Sequence, residues 1–142
     1  LFKWLHKQRD IMPPSFWAAD CDLDLIEKEP CPFIVARLDF KVQGDRIGFS
    51  EAIAYNQMVA ARGRWRVPVY IIEAIRPFGE DAQEHRVTVR EFVEADYRPE
   101  PPKIQQCVIG ADWTWSDLRE WEATLRTTRK QWMAKWIEAA EE

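Results

Sequence analysis

Asp24, Asp39 and Lys41 are the residues of this chain whose types and spacing best suit chemistry. Carboxylates hold hard divalent cations, which keep part of their own water and can present an activated water to a phosphorus centre. An ammonium beside them stabilises the negative charge that builds up there. Asp39 and Lys41 stand two apart in the run FIVARLDFK, so in an extended strand they share a face while Phe40 points the other way. Upstream, Asp22 and Asp24 alternate in the same manner within DCDLDLIE. Two carboxylates on one side of a strand repel each other unless a cation, a basic partner or water lies between them. Placed side by side on neighbouring strands, Asp24 and Asp39 would hold Mg²⁺ or Mn²⁺, with the Phe40 carbonyl as a third ligand and Lys41 on the water or the developing charge.

The elements needed to position these groups can be read around them. Alternation predicts a strand over residues 16–26, a charged, proline-containing turn over Glu27–Pro32, and a second strand over Phe33–Lys41 whose FIVA segment is apolar on both faces, as in a central strand. Gln43-Gly44-Asp45 predicts a turn and Arg46–Phe49 a short third strand. Ser50 reads as an N-cap with Glu51 in the first turn. The helix would bury Ala52, Tyr55 and Val59 and run to about Arg62, ended by Gly63. VPVYIIEAI, residues 67–75, is the strongest strand by β-branched content, and a helix feeding such a strand predicts a parallel crossover. A strand over His85–Val93, a stiff surface connection YRPEPPK and an edge strand over Ile104–Ile109 follow. Thr114 with Asp117 forms a capping-box pattern that opens a long helix, about 114–140, striped by Leu118, Trp121, Leu125, Trp132 and Trp136. At the other end, LFKWLHKQR predicts a short docking helix stopped by Pro13-Pro14, on which His6 is read as solvated or structural.

The order Asp, hairpin, Asp-x-Lys, helix, strand resembles the core of the PD-(D/E)xK nuclease superfamily, including Holliday-junction-resolvase-like and restriction-endonuclease-like members. The resemblance covers about residues 15–76. It implies an α/β fold with a restriction-endonuclease-like mixed central sheet flanked by helices. It also implies a magnesium-dependent endonuclease or deoxyribonuclease acting on DNA. Its first acid lands on Asp24, with Asp22 as second choice; its Asp-x-Lys signature lands on Asp39-Phe40-Lys41, and Glu51 is an auxiliary metal ligand. The Gln that such nucleases often carry early in the helix is replaced here by Ile53, with Gln57 one turn later. With seven lysines and 24 acidic residues in 142, roughly one acid-x-Lys triplet arises by chance. The inference therefore rests on the strand, helix and strand around the triplet, against the alternative of an ordinary Asp39–Lys41 surface pair.

Length allows one domain with a single core, so residues 1–142 are read as one nuclease-like domain with its core at about 15–95. Three cysteines, odd in number and without CxxC spacing, argue against a disulfide framework or a zinc site and suit a reducing, cytoplasmic setting. No apolar run is long enough to span a bilayer, so no membrane partner is expected. The net charge of −4 gives no general attraction for nucleic acid, but the charge is uneven. Arg62, Arg64 and Arg66 flank Gly63 and Trp65 with no acid among them, in a loop expected beside the candidate site. Arginines bind phosphates bidentately and an exposed Trp stacks on an unpaired base; the competing expectation is a solvated loop whose Trp65 turns inward. The tryptophan stripe of the last helix reads first as a packing face. Any surplus would suit a homodimer or docking on a larger assembly.

Overall fold

The computed structural model describes residues 20–74 and 86–141. The predicted docking helix with His6, the start of the first predicted strand, Arg76 and His85 lie outside them. The described chain runs β1 (Asp20–Glu27), β2 (Phe33–Val42), α1 (Phe49–Ala60), β3 (Val69–Ala74), β4 (Val87–Asp96), β5 (Lys103–Trp113) and α2 (Trp115–Glu141), with a 3-10 turn at Gly63–Trp65. The strands form one sheet in the order β1-β2-β3-β4-β5. The β1–β2, β3–β4 and β4–β5 pairs are antiparallel and β2–β3 is parallel, so this is an α/β fold with a mixed sheet. Only a crossover can join parallel neighbours, and α1 provides it.

Apolar residues alternate to build a core on each face of the sheet. On one side Leu38, Phe40, Tyr70, Ile72, Val87 and Val89 meet Trp115 and Leu118 of α2; on the other Val69, Ile71 and Phe92 meet Ala52 and Tyr55 of α1. Full burial of a side chain of this size is worth roughly 1.5–3 kcal/mol. Val35 and Ala36 are both buried, as expected for a central strand flanked on both edges. Burial pushes the Tyr70 phenol up to about 12, reinforced by the Glu91 charge, so it remains an uncharged core residue packed edge-to-face on Trp121.

The stretch Arg46–Phe49 is not a strand. β2 is already paired on both edges, so no partner is left for a third strand there, and Phe49 opens α1 instead. The N-cap is Gly48 rather than Ser50, which places Glu51 at the third helical position. Its carboxylate reaches back to accept from the Gly48 N–H at 3.1 Å, the half of a capping box that a glycine permits. The helix ends at the Ala61 C-cap, and Gly63 follows at φ +60, the left-handed region that favours glycine.

Helix α2 begins as the sequence predicts. The Thr114 N–H donates to Asp117 at 2.9 Å and the Asp117 N–H donates back to the Thr114 hydroxyl at 3.1 Å. Its stripe packs down: Trp115, Leu118 and Met133 are buried, Trp121 and Leu125 line the core, and Trp136 keeps 37% exposure. Two polar ties hold its register. Arg126 reaches Glu27 of β1 at 2.8 Å, and Arg129 donates to the carbonyls of Val35 at 3.1 Å and Arg66 at 3.0 Å. Among the described residues no helix is long and apolar enough to cross a membrane.

Candidate functional site

Asp39 and Lys41 lie near the C-terminal end of β2 on the face that α1 covers, 0% and 2% exposed. The Lys41 ammonium sits between two carboxylates, 3.3 Å from Asp39 Oδ2 and 3.3 Å from Glu51 Oε2. Tyr55, one turn after Glu51 on α1, donates its hydroxyl to Asp39 Oδ2 at 2.8 Å and lies 3.4 Å from Glu51 Oε2. A phenol has one proton to give, and the shorter contact to Asp39 takes it. The result is a knot of two carboxylates, one ammonium and one phenol that ties α1 to β2. Stability does not require such a knot, because withdrawing charges from water costs several kcal/mol per ion before pairing offsets it.

Register sets more acids opposite these residues across the β1–β2 pair. Asp22 stands directly opposite Asp39, and Asp20 opposite Lys41, across the antiparallel β1–β2 pair. Asp24 stands opposite Arg37 instead, and its carboxylate accepts both from Arg37 Nε and, at 3.1 Å, from Arg37 Nη2. The structure thus pairs Asp24 with Arg37 rather than with Asp39. Arg37 shares the face of Asp39 by the period of two and takes the acid that register sets opposite it. On the other flank, Glu73 of β3 is the register neighbour of Lys41 and is bridged to Arg90 of β4 at 3.3 Å.

Tyr55, Glu73 and Arg37 were not among the residues singled out from sequence for the site. The signals exist: Tyr55 lies four residues after Glu51, hence on the same helical face, and Glu73 interrupts an otherwise apolar strand. Tyr55 reads as core because it is core by area, while its hydroxyl works at the polar edge of that core.

The arginine loop lies away from the knot. Glu51 lies in the first turn of α1 and Arg62 follows its end, which separates them by about 16 Å along the helix axis. The expectation of a loop beside the site fails because α1 runs back along the sheet from the C-terminal end of β2 to the start of β3. Trp65 does not turn inward: it is 69% exposed, with the Arg64 guanidinium stacked 4.6 Å from the ring centre. Arg62, Arg64 and Arg66 are exposed beside it.

Among the described residues no three His, Cys, Asp or Glu side chains come together as a metal-holding group. The described donors at the knot, Asp39 and Glu51, are all oxygen, which suits Mg²⁺ or Mn²⁺ in kind. A further carboxylate by register is Asp22, opposite Asp39. Comparison of the chain with family models, with curated proteins and with solved structures gives no match.

Proposed function

We propose that this chain is a magnesium-dependent nuclease-like protein with a restriction-endonuclease-like core that hydrolyses phosphodiester bonds in DNA. The observation that carries this reading is the knot of buried Asp39 and Lys41 with half-buried Glu51, where the Asp-x-Lys strand meets the first turn of the crossover helix. Buried charges cluster at functional sites because structure alone gains little from them. The order of elements adds support: an acid-bearing β1, the Asp-x-Lys strand β2, a helix and a parallel β3 follow the core that the sequence resembles.

In this reading Asp39 and Glu51 would hold the divalent ion, with Asp22 of β1 the candidate that register sets opposite Asp39, and Asp24 is left to its pairing with Arg37. A divalent ion held there would supply Lewis-acid stabilisation and activate water for attack. Lys41 keeps a positive charge beside the reacting phosphate, where the transition state gathers negative charge. Tyr55 fixes the Asp39 carboxylate by its 2.8 Å hydrogen bond, so the donor oxygen does not swing. Arg62, Arg64 and Arg66 grip backbone phosphates at a distance from the cut, and exposed Trp65 stacks on a base.

Asp39→Asn tests the assignment with little change of shape. Incubated with plasmid and with branched DNA in Mg²⁺ or Mn²⁺, wild type cleaves, and the variant loses at least 100-fold in rate while its circular dichroism stays that of wild type. Metal-dependent cleavage retained by the variant removes Asp39 from the chemistry.

One observation favours a second reading. Lys41 already pairs with both carboxylates in the structure, which suits an inactive nuclease-fold module that binds nucleic acid or a protein. Manganese titration separates the two: a catalytic site binds Mn²⁺ and loses it in Asp39→Asn, whereas an ammonium-locked module binds none. A homodimer, which would let two sites address two strands, is tested by the mass of the protein in solution.

A further inference from the structure

A cavity of about 530 Å³ opens at the N-terminal end of α1, lined by Arg46, Ile47, Gly48 and Phe49 on one side and by Tyr97 and the proline-rich 98–102 connection on the other. Its volume lies within the roughly 300–1,000 Å³ typical of small-ligand sites. Two of its aromatic rings remain uncovered, Phe49 at 57% and Tyr97 at 41% exposure, meeting edge-to-face with centroids 6.1 Å apart. Rings left in water at a cavity wall offer stacking area to a flat partner. The chemistry beside them suits an anion: Arg46 and Arg98 outnumber Glu100 in the cavity lining, and the first turn of the 12-residue α1 has no side-chain cap on its N–H groups. Arg98 is held toward the Asp96 carboxylate at 2.9 Å, which leaves Arg46 as the more available cation. The cavity also adjoins the knot, because the Gly48 N–H on its wall donates to the same Glu51 whose carboxylate meets Lys41.

We propose that this cavity receives one unpaired nucleotide, its base against Phe49 and Tyr97 and its phosphate at Arg46 and the start of α1. This rests on the nucleic-acid reading above and narrows it: the preferred substrate carries an unpaired nucleotide next to the bond that is cut, as a single strand, flap or branch does and a continuous duplex does not. An aromatic ring and a phosphate together are nucleotide chemistry, and a residue within a strand or a free nucleotide could each supply them.

Fluorescence anisotropy in EDTA reads binding without cleavage. A fluorescein-labelled single-stranded 15-mer should bind at least 10-fold more tightly than the duplex of the same sequence. Two neighbouring abasic positions in its centre, or Phe49→Ala or Tyr97→Ala in the protein, should each lower strand affinity by about 10-fold. Both rings are exposed, so these variants keep the fold, which circular dichroism checks. Free thymidine monophosphate that competes at millimolar concentration with wild type but not with Phe49→Ala would assign the cavity to nucleotides in general. Failure to compete, with the base-dependence intact, would assign it to strands. Equal binding of intact and abasic strands, unchanged affinity in both variants, or no binding of strand or free nucleotide by wild type overturns the proposal. Because cleavage enters none of these readouts, loss of the nuclease reading in the Asp39→Asn experiment leaves the cavity's assignment to be decided by them.

Discussion

At the scale of single residues, Lys41 is the side chain on which the knot depends. Its ammonium is buried and touches both Asp39 and Glu51, so Lys41→Met removes the charge, keeps much of the stem's volume and leaves two carboxylates facing each other. Breaking one side of a buried pair costs about 3–5 kcal/mol, and urea unfolding should show a loss of that order. Tyr55→Phe removes only the hydroxyl from Asp39 and should cost about 2 kcal/mol. Asp39→Asn combined with Lys41→Met should cost less than the sum of the two single changes, because each single change already removes the Asp39–Lys41 ion pair. Additive costs would mean that the two groups do not interact. The site was legible in sequence as far as the period of two could carry it. Asp39 and Lys41 share a face as the strand pattern requires, and Glu51 comes to them because the first turn of the following helix lands there. Which β1 acid faces Asp39 depends on register, and a shift by two residues separates Asp22 from Asp24. Sequence gives no measure of that shift, whereas the pairing of Asp24 with Arg37 resolves it.

At the scale of elements, α2 is located by polar ties as much as by its tryptophans, and one of these ties responds to pH. Burial pushes the Glu27 carboxyl up, but hydrogen bonds and charges from Arg126 and Lys130 outweigh it and hold the group below its ordinary value of 4.5. A lowered folded-state pKa means that the stabilisation is present above the unfolded value and is lost as pH falls through the folded one. Glu27→Gln should therefore cost about 1 kcal/mol at pH 7, and the deficit should shrink toward zero as the pH falls below 4.5. Thermal melts of both proteins across that range measure it, and a deficit independent of pH would assign the loss to packing. A second tie is steric. A Cβ on Gly63 would lie 2.8 Å from the Trp136 ring in a left-handed backbone position, so Gly63→Ala should cost about 1–2 kcal/mol from the backbone alone, with the half-open Trp136 yielding outward. Elements with strong periodicity, such as β2, β3 and α2, could be read from sequence because one face of each must be apolar. The Arg46–Phe49 strand could not be excluded in that way: its failure follows from the sheet already having partners on both sides of β2, a fact of assembly rather than of local pattern.

At the scale of the whole molecule, charge is distributed so that a chain of net −4 can present a cationic end. Arg62, Arg64 and Arg66 project from the loop after α1, with Trp65 among them, and the knot sits at the helix's other end, about 16 Å away by the helical rise. A nucleic acid lying along α1 would meet both ends at once, touching phosphates at the loop and presenting another near Glu51. If the loop grips phosphates as proposed, its contacts would be electrostatic and release counterions, so affinity should fall linearly on a log–log scale with salt, by about 0.7 per neutralised phosphate for a single strand and about 0.9 for a duplex. Replacing the three arginines with alanine should therefore flatten the slope by about 2–3 and weaken binding by a similar factor for every sequence tested. Trp65→Ala should behave differently, lowering affinity for a single strand at all salt concentrations while leaving the slope in place, because stacking releases no counterions. Titrations between 50 and 300 mM salt distinguish the two. A triple variant that keeps the wild-type slope would place the phosphates elsewhere on the surface and free the loop from the path of the strand.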